Sequence, residues 1–214
     1  MSEWTVEHWR GTASDFHEMV LPATRAVWVV ELTAPALVLG SSQREDTIDR
    51  DAARRLGVPL ARRHSGGGAV WLSPRQSVWV DIAIPRDDPL WVDDVPSSMN
   101  WLGSCIAGAL AGAHEAHVHA ASYEATDLAR AVCFGALAPG EVADDTDKLV
   151  GISQRRTREG ARFQCVAYTE WDTEPWVNLI ADASIRDLTR ALRVAELALP
   201  GDDFVARLTL SLPR

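Results

Sequence analysis

Residues 62–70 have the sequence Arg62-Arg63-His64-Ser65-Gly66-Gly67-Gly68-Ala69-Val70, and the rest of the chain is organised around this stretch. Glycine adopts backbone conformations that other residues avoid, and its missing side chain lets another molecule approach the backbone closely. Free backbone N–H groups beside two guanidinium groups suit an anionic or strongly polar ligand, such as a phosphate or a carboxylate. A flexible hairpin turn is the alternative interpretation. The two arginines before the glycines and the apolar strand after them favour a ligand-binding loop.

The composition is that of an ordinary globular protein. Of 214 residues, 47% are hydrophobic and 24% are charged, which is enough for one sizeable domain. The formal net charge of −9 argues against a nucleic-acid-binding protein, which needs a basic face. We see no signal peptide and no apolar run of the roughly 18 to 20 residues that a membrane span needs, so we expect no membrane association. The cysteines Cys105, Cys133 and Cys165 form no CxxC pair, which predicts a reducing cytoplasm rather than a disulfide framework.

Strands and helices come in separate clusters along the chain. Apolar and β-branched runs predict strands at 27–32, 36–39, 58–62, 78–84 and 163–171. Helical spacing predicts helices at 46–56, 99–114, 185–197 and 202–212, the first of which ends at Gly57. There is no internal repeat and no linker long enough to divide the chain. The pattern indicates a single α+β, or mixed α/β, domain over residues 1–214.

A lysine follows an acidic patch in the second half of the chain. Lys148 comes directly after Asp144, Asp145 and Asp147 and opens an apolar run. Because the positive charge of the chain is mostly arginine, a lysine here indicates a need for a compact point charge with mobile N–H donors. The alternative is a surface lysine that pairs with one of these aspartates.

Cys133 precedes this lysine in the run Val132-Cys133-Phe134-Gly135. A buried cysteine is usually an inert packing residue. A lysine ammonium group close to it would stabilise the thiolate and make Cys133 a candidate nucleophile. The residues alone leave both interpretations open.

Neither the histidines nor the cysteines are spaced as metal ligands. His114, His117 and His119 are close in sequence, but the segment that carries them changes its structure type. We therefore predict no metal site built from the protein. Of the nine tryptophans, we expect most to be packing residues and a few to line an apolar tunnel.

Two motifs taken together resemble the lipoate–protein ligase and octanoyltransferase family, which shares its catalytic-domain fold with the biotin–protein ligases. They are the loop at 62–70 and the later run Lys148-Leu149-Val150-Gly151-Ile152-Ser153-Gln154. The supporting fragments are Pro35-x-Leu37-Val38-Leu39-Gly40-x-x-Gln43 and Val132-Cys133-Phe134. The resemblance covers about residues 30–170. It implies a single domain with a central mixed, largely antiparallel sheet flanked by helices, without the extra C-terminal domain of the longer ligases.

The resemblance also implies roles for particular residues. Lys148 would contact the acyl carbonyl or the acyl-phosphate oxygen, and Cys133 is the second candidate catalytic residue. The implied substrate-binding residues are Arg62, Arg63, Ser65, Gly66, Gly67, Gly68, Ala69, Gly151, Ile152 and Ser153. The implied partner is a lipoyl carrier domain of the 2-oxoacid dehydrogenase E2 or glycine cleavage H protein type. An acyl carrier protein or a separate accessory subunit is a further possible partner.

Three interpretations of the activity follow. In the first, which we favour, ATP and Mg²⁺ convert lipoate or octanoate to an acyl adenylate, and the acyl group passes to a carrier lysine. In the second, Cys133 takes the acyl group from a carrier thioester, and Lys148 stabilises its thiolate. In the third, the chain is a non-catalytic acyl-binding module.

The chain departs from the family pattern at three places. Ser73-Pro74-Arg75-Gln76-Ser77 replaces an Asn that follows a glycine, Thr146-Asp147 replaces a Gly-Arg pair before the lysine, and Gln164-Cys165 replaces a His-Gly pair. The absent C-terminal domain and the aspartates near Lys148 weigh against ATP-dependent activation. The intact glycine loop and Lys148 weigh against the non-catalytic module.

Overall fold

The structure is a computed structural model that describes residues 3–214. Two β-sheets form the centre of the molecule. The strands are β1 (Thr5–Gly11), β2 (Ala26–Leu32), β3 (Ala36–Leu39), β4 (Leu60–Arg62), β5 (Val70–Leu72), β6 (Ser77–Pro85), β7 (Ala116–Val118), β8 (Val142–Asp144), β9 (Asp147–Arg156) and β10 (Gly160–Tyr168). The α-helices are α1 (Ala13–Glu18), α2 (Arg50–Leu56), α3 (Asn100–Leu110), α4 (Asp127–Ala131), α5 (Ala183–Ala191) and α6 (Gly201–Ser211). Short 3-10 helices lie at Glu45–Thr47, Pro96–Met99, Cys133–Gly135 and Val177–Leu179.

The larger sheet has seven strands in the order β1-β2-β6-β10-β9-β8-β7. Its first two strands are parallel, and every later neighbouring pair is antiparallel. The smaller sheet has the order β4-β3-β5, in which β3 is parallel to β4 and antiparallel to β5. The predicted mixed, largely antiparallel sheet flanked by helices is therefore confirmed.

Three apolar clusters hold four layers together. The first lies between the larger sheet and helices α3 and α6, and the second lies between the smaller sheet and helices α2 and α5. The third fills the space between the two sheets and includes Phe16 of α1. The central strands of the larger sheet thus have both faces covered, which explains why β6 is almost continuously apolar in sequence, whereas the edge strand β1 is mostly exposed.

The central strands divide their side chains between two of these clusters. In β6, Val80, Ile82 and Ile84 pack against the helices, whereas Trp79 belongs to the cluster between the sheets. Asp81 lies on the same face of β6 as Trp79, because side chains alternate along a strand. Polar groups therefore enter the space between the sheets from the larger sheet.

Several predicted boundaries need correction. The helix predicted at 46–56 begins only at Arg50, because residues 45–47 form a 3-10 turn and Asp49 caps the helix. The helix predicted at 99–114 ends at Leu110, before Gly112, which has a positive φ of 83°. The helix predicted at 185–197 ends at Ala191, and the residues after it run extended alongside Lys148 and Tyr168. The predicted stop at Gly57 is confirmed by its left-handed conformation. None of the helices within residues 3–214 combines the length and hydrophobicity that crossing a bilayer requires.

Helix α6 offers a direct test of the outer apolar cluster. Phe204 is 1% exposed and Leu210, on the same helix, is 87% exposed. We expect Phe204→Ala to lower the free energy of unfolding by about 3–5 kcal/mol, because the buried ring leaves a cavity. Leu210→Ala is the matched control and should change it by less than about 0.5 kcal/mol. Urea denaturation of both variants measures the difference, and equal losses would contradict this packing.

Candidate functional site

The glycine-rich loop is held in place by Arg63, whose side chain is buried. Its guanidinium group donates to the carbonyl oxygens of Gly66, at 2.6 Å, and Gly68, at 2.9 Å, and to that of Val38 in the neighbouring strand β3. These bonds fold the loop back on itself and against the smaller sheet. Arg63 therefore acts first as a brace for the loop.

Arg62 braces a second loop rather than the glycines. Its Nη1 donates to the carbonyl oxygens of Gly40 at 2.8 Å and Gln43 at 2.9 Å. The Gln43 side chain in turn donates to the Ala131 carbonyl oxygen at 3.1 Å. Both guanidinium groups are thus engaged by backbone carbonyls, and their direct contact with a ligand stays a prediction.

The three glycines face different constraints. Gly67 has a positive φ of 99°, which disfavours any other residue. A Cβ atom at Gly68 would lie 2.6 Å from the Val132 backbone nitrogen, whereas a Cβ atom at Gly66 would meet nothing within 4 Å. The close approach at Gly68 lets Ala69 exchange backbone hydrogen bonds with Ala131 and Cys133, both of 2.8 Å. The loop therefore sets the position of Cys133.

Lys148 is buried, and it is the only lysine in the sequence. Its Nζ lies 2.7 Å from Glu141 Oε2 and donates to the carbonyl oxygens of Cys133 and Ala136, each at 3.0 Å. These three acceptors match the three N–H donors of an ammonium group. The interpretation of Lys148 as a surface residue paired with an aspartate is therefore wrong.

The acidic patch points away from this lysine because adjacent residues on a strand face opposite sides. Asp144 accepts from His114 Nδ1 at 2.7 Å, and Asp147 pairs with Arg193 at 3.1 Å. Asp145 occupies the turn between β8 and β9 and has a positive φ of 52°. The aspartates thus do not place negative charge beside the lysine.

Glu141 is a site residue that the sequence analysis missed. Its carboxylate accepts from Lys148, from the Ala138 backbone N–H at 2.7 Å and from the Ile152 backbone N–H at 3.1 Å. The sequence does show an acidic residue directly after the Pro139-Gly140 turn. Its ion pair with Lys148, which lies on another strand, could not be predicted from the spacing of the two residues. Glu141 fixes the segment that carries Cys133 to the strand that carries Lys148.

Two cavities meet at this point. The outer cavity has a volume of about 690 Å³ and opens beside the glycine loop and Lys148. The inner cavity has a volume of about 30 Å³ and lies between the sheets, lined mainly by Val70, Leu72, Trp79, Phe134 and Val166. Cys133, Ile152 and Ser153 line both. The arrangement is a wide chamber with mostly apolar walls and a few charged side chains, among them Lys148, Arg44 and Arg130, and it leads into a narrow apolar slot.

Most of the predicted site residues line these cavities. Those that do are Arg63, Gly66, Gly67, Gly68, Cys133, Lys148, Gly151, Ile152 and Ser153. Arg62, Ser65 and Ala69 line neither, and their contact with a ligand stays a prediction. Of the three cysteines, all within the described residues, Cys133 alone faces the cavities. Trp79 is the one tryptophan among the residues that line them, so the expected tunnel holds a single indole.

A chain of hydrogen bonds crosses the inner end of the site. Ser65 Oγ lies 2.9 Å from Ser153 Oγ and donates to Gln164 Oε1, also at 2.9 Å. Gln164 Nε2 lies 3.1 Å from Nδ1 of His17, which comes from helix α1 and is buried. Burial, together with the positive charges of Arg162, Arg63 and His64, lowers the pKa of His17 to about 3. His17 and Gln164 were not predicted, because only the folded chain brings α1 to this face of the sheet.

The glycine loop gives a paired prediction. Gly68→Ala forces a methyl group into the Val132 backbone, so we expect a loss of about 2 kcal/mol or more in the free energy of unfolding. Gly66→Ala meets open space and is expected to change it by less than about 0.5 kcal/mol. Urea denaturation compares the two variants. A stable Gly68→Ala protein would contradict the close approach described above.

The neutral state of His17 makes stability depend on pH. Its pKa is about 3 in the folded chain and 6.5 for an unperturbed histidine side chain, so the unfolded chain binds one more proton between these values. The free energy of unfolding therefore falls as the pH is lowered, by about 1 kcal/mol from pH 6.5 to pH 5.5. In His17→Leu this contribution should be absent. Denaturation at the two pH values tests it, with the surface substitution His117→Leu as control, and an unchanged pH dependence in His17→Leu would contradict it.

Solved structures share this fold. A lipoate protein ligase of Thermoplasma acidophilum with bound lipoic acid has a TM-score of 0.72 and 14% identity, over 97% of this chain and 82% of that chain. A lipoate-protein ligase A bound with ATP has a TM-score of 0.70 and 16% identity, over 97% and 83%. A bi-partite lipoate protein ligase of T. acidophilum, studied with its E2 lipoyl domain, has a TM-score of 0.71 and 14% identity, over 99% and 82%. At these identities the likeness is one of fold.

The sequence comparisons differ in their result. No curated protein matches the chain significantly. The sequence profile of the family described as lipoyl protein ligase A/B catalytic domain matches residues 5–197, which include the glycine loop, Cys133 and Lys148. Because this match spans most of its length, the chain belongs to the lipoyl protein ligase A/B catalytic domain family.

Proposed function

We propose that this chain attaches a lipoyl or octanoyl group, in amide linkage, to a lysine of a lipoyl carrier domain, as an ATP-dependent ligase. The observation that carries the proposal is the junction of a wide chamber, which carries several charged side chains, and a narrow apolar slot beside the buried cation Lys148. Membership of the lipoyl protein ligase A/B family supports an enzyme of the lipoate ligase or transferase kind.

The slot between the sheets suits the far end of an acyl tail, because its volume of about 30 Å³ holds one small group and the rest of the tail would lie in the outer chamber. Its walls are aliphatic and aromatic side chains, including Leu72 and Phe134. Each CH₂ group that such a slot removes from water contributes about 0.8 kcal/mol to binding. A tail that points inward leaves its carboxyl end in the outer chamber, near Lys148.

Lys148 is the residue that would act on the acyl carbonyl. Negative charge develops on that oxygen during attack by an amine, and a fixed cation in a water-poor site stabilises it strongly. In the structure the ammonium group is shared by Glu141 and two carbonyl oxygens. An acyl or phosphate oxygen would therefore compete with these acceptors for the same N–H donors.

The outer chamber has room for a nucleotide. Its volume lies in the usual range for small-molecule sites, and Arg44 and Arg130 line it together with the glycine loop. In the proposed reaction the acyl carboxylate attacks the α-phosphorus of ATP and releases pyrophosphate. The carrier amine then attacks the acyl carbonyl, loses a proton and releases AMP. The guanidinium groups and Lys148 would hold the phosphates.

The residues present fit a Mg²⁺ ion that is held by the nucleotide. Among the described residues that line the outer chamber, Glu141 is the one carboxylate, and Lys148 and two backbone N–H groups already engage it. Mg²⁺ commonly keeps water and substrate phosphates as ligands. When bound, it would neutralise phosphate charge.

A transferase is the second candidate, favoured by the position of Cys133. This residue lines both cavities and is half-buried, and Lys148 donates to its carbonyl oxygen. In this reaction the Cys133 thiolate attacks a carrier thioester and expels the carrier thiol. The amine of the acceptor lysine on the lipoyl carrier domain then attacks the new thioester and releases the Cys133 thiol. A module that binds acyl groups without transferring them is the third candidate.

The proposed partner is a lipoyl carrier domain of the E2 or H protein type. A structural neighbour was studied with its E2 lipoyl domain and is described as bi-partite, which supports both a carrier domain and an accessory subunit as partners here. Cys105, Cys133 and Cys165 are free thiols. This suits the reducing cytoplasm that we propose as the location.

The first experiment measures the intact mass of a purified apo lipoyl domain after incubation with this protein. One reaction contains lipoate and MgATP, and the other contains an octanoyl-carrier thioester without ATP. We expect a mass gain in the first reaction, and Cys133→Ala should retain it. A gain in the second reaction alone, lost in Cys133→Ala, would support the transferase instead. No gain in either reaction, also with an accessory subunit added, would contradict both enzymatic candidates.

Lys148 has its own test. We expect Lys148→Met combined with Glu141→Gln to lower the rate of carrier acylation by about 100-fold or more, as removal of a transition-state donor does. The second substitution avoids a buried carboxylate without a partner, which would destabilise the fold. Glu141→Gln alone is the matched control for the loss of the ion pair. A double variant that acylates the carrier as fast as this control would contradict the role of Lys148.

A further inference from the structure

The inner cavity has a polar atom at its end that the chain itself does not satisfy. His17 lines this cavity, is 4% exposed, and belongs to helix α1. Its Nε2 is buried and has no hydrogen-bond partner among the described residues. Buried polar groups without partners are rare in native proteins, and each one needs an explanation. The residue lines the slot that the proposed function gives to the end of the acyl tail.

The neighbours of His17 decide which of its nitrogens carries the proton. Gln164 directs its amide nitrogen, Nε2, toward His17 Nδ1, which lies 3.1 Å away. Ser65 Oγ donates to the other end of the amide, Gln164 Oε1. Gln164 Nε2 therefore donates to His17 Nδ1, which must be an unprotonated acceptor.

A neutral imidazole with a bare Nδ1 carries its proton on Nε2. The lowered pKa of His17, which follows mainly from burial, agrees with the neutral form. The ring is further fixed by Trp79, whose centroid lies 4.8 Å away. The unsatisfied atom is thus an N–H donor in a fixed orientation.

The position of this donor relative to the acyl group follows from the two cavities. Lys148 lines the outer one, His17 lines the inner one, and Cys133 lines both. An acyl tail that runs from Lys148 into the inner cavity would bring its end to the cavity that His17 lines. The inner cavity, of about 30 Å³, has room for one small terminal group.

We propose that His17 is a specificity residue, whose Nε2–H selects acyl groups that carry a hydrogen-bond acceptor near the end remote from the carboxyl group. This inference rests on the proposed function. A plain octanoyl chain would surround the Nε2–H group of His17 with hydrocarbon and leave it without a hydrogen-bond acceptor. A tail with an oxygen or sulfur acceptor would satisfy it, although sulfur is the weaker acceptor. The preferred substrate is therefore an acceptor-tipped chain, such as a dithiolane or an oxo-acyl group.

The test measures binding of product mimics, which are common to the ligase and transferase candidates. Isothermal titration calorimetry compares the N-methyl amides of octanoic acid, 7-oxo-octanoic acid and lipoic acid. We expect the wild-type protein to bind the 7-oxo amide about tenfold or more tightly than the octanoyl amide, with the lipoyl amide between them, because only the plain chain leaves a buried donor unpaired. His17→Leu should abolish this preference by binding the octanoyl amide more tightly.

Two further variants separate recognition from folding. His17→Gln keeps an N–H donor and should retain the preference in part, and His117→Leu, a surface histidine substitution, should retain it fully. Equal affinities for the octanoyl and 7-oxo amides in the wild-type protein would overturn the inference and indicate that a water molecule satisfies His17. Binding of these amides would still support the proposed function. Absence of binding by all three amides would overturn the proposed function as well.

Discussion

The buried ion pair between Lys148 and Glu141 is the interaction on which the site depends. Two charges removed from water are tolerated only when good geometry and further hydrogen bonds compensate them, and here both partners are fully engaged. To meet this condition, the carbonyl oxygens of Cys133 and Ala136 must stay beside Lys148, and the backbone N–H group of Ile152 must stay beside Glu141. The segment between α4 and β8 cannot move without exposing one of the charges. The ion pair therefore links the segment that carries Cys133 to the strand that carries Lys148.

Two sheets, rather than one, give the site its shape. Their facing surfaces are apolar near the core and polar where Asp81, Gln164 and Ser65 meet, so the space between them changes character along its length. The larger sheet supplies the cation and the smaller sheet supplies the glycine loop. The charged residues of the outer cavity and the apolar lining of the inner cavity are therefore built largely on different elements of the two sheets.

The sequence predicts those parts of the fold that depend on neighbouring residues in the chain. The strand at 36–39, the stop at Gly57 and the mixed sheet were predictable, because β-branched runs, left-handed glycines and the two family motifs are local features. The partner of Lys148 was not predictable from spacing, since Glu141 reaches it across neighbouring strands while the nearer aspartates turn outward. Arg63 was predicted as a ligand contact, which stays a prediction, and its hydrogen bonds to the carbonyl oxygens of Gly66 and Gly68 were not visible in the sequence. His17 lies too far away in sequence for any pattern to connect it to Gln164.

The sequence contains one lysine, and that lysine is the buried Lys148. Every other basic side chain that is charged at neutral pH is an arginine, whose guanidinium group does not deprotonate in proteins and is therefore a poor nucleophile. The single lysine amine is buried and held by three acceptors. Under the proposed reaction, an activated acyl group that escaped from the site would find no free lysine on the enzyme surface. The chain thus offers such an acyl group no surface lysine, and the lysine amine open to it would be the one that a docked carrier presents.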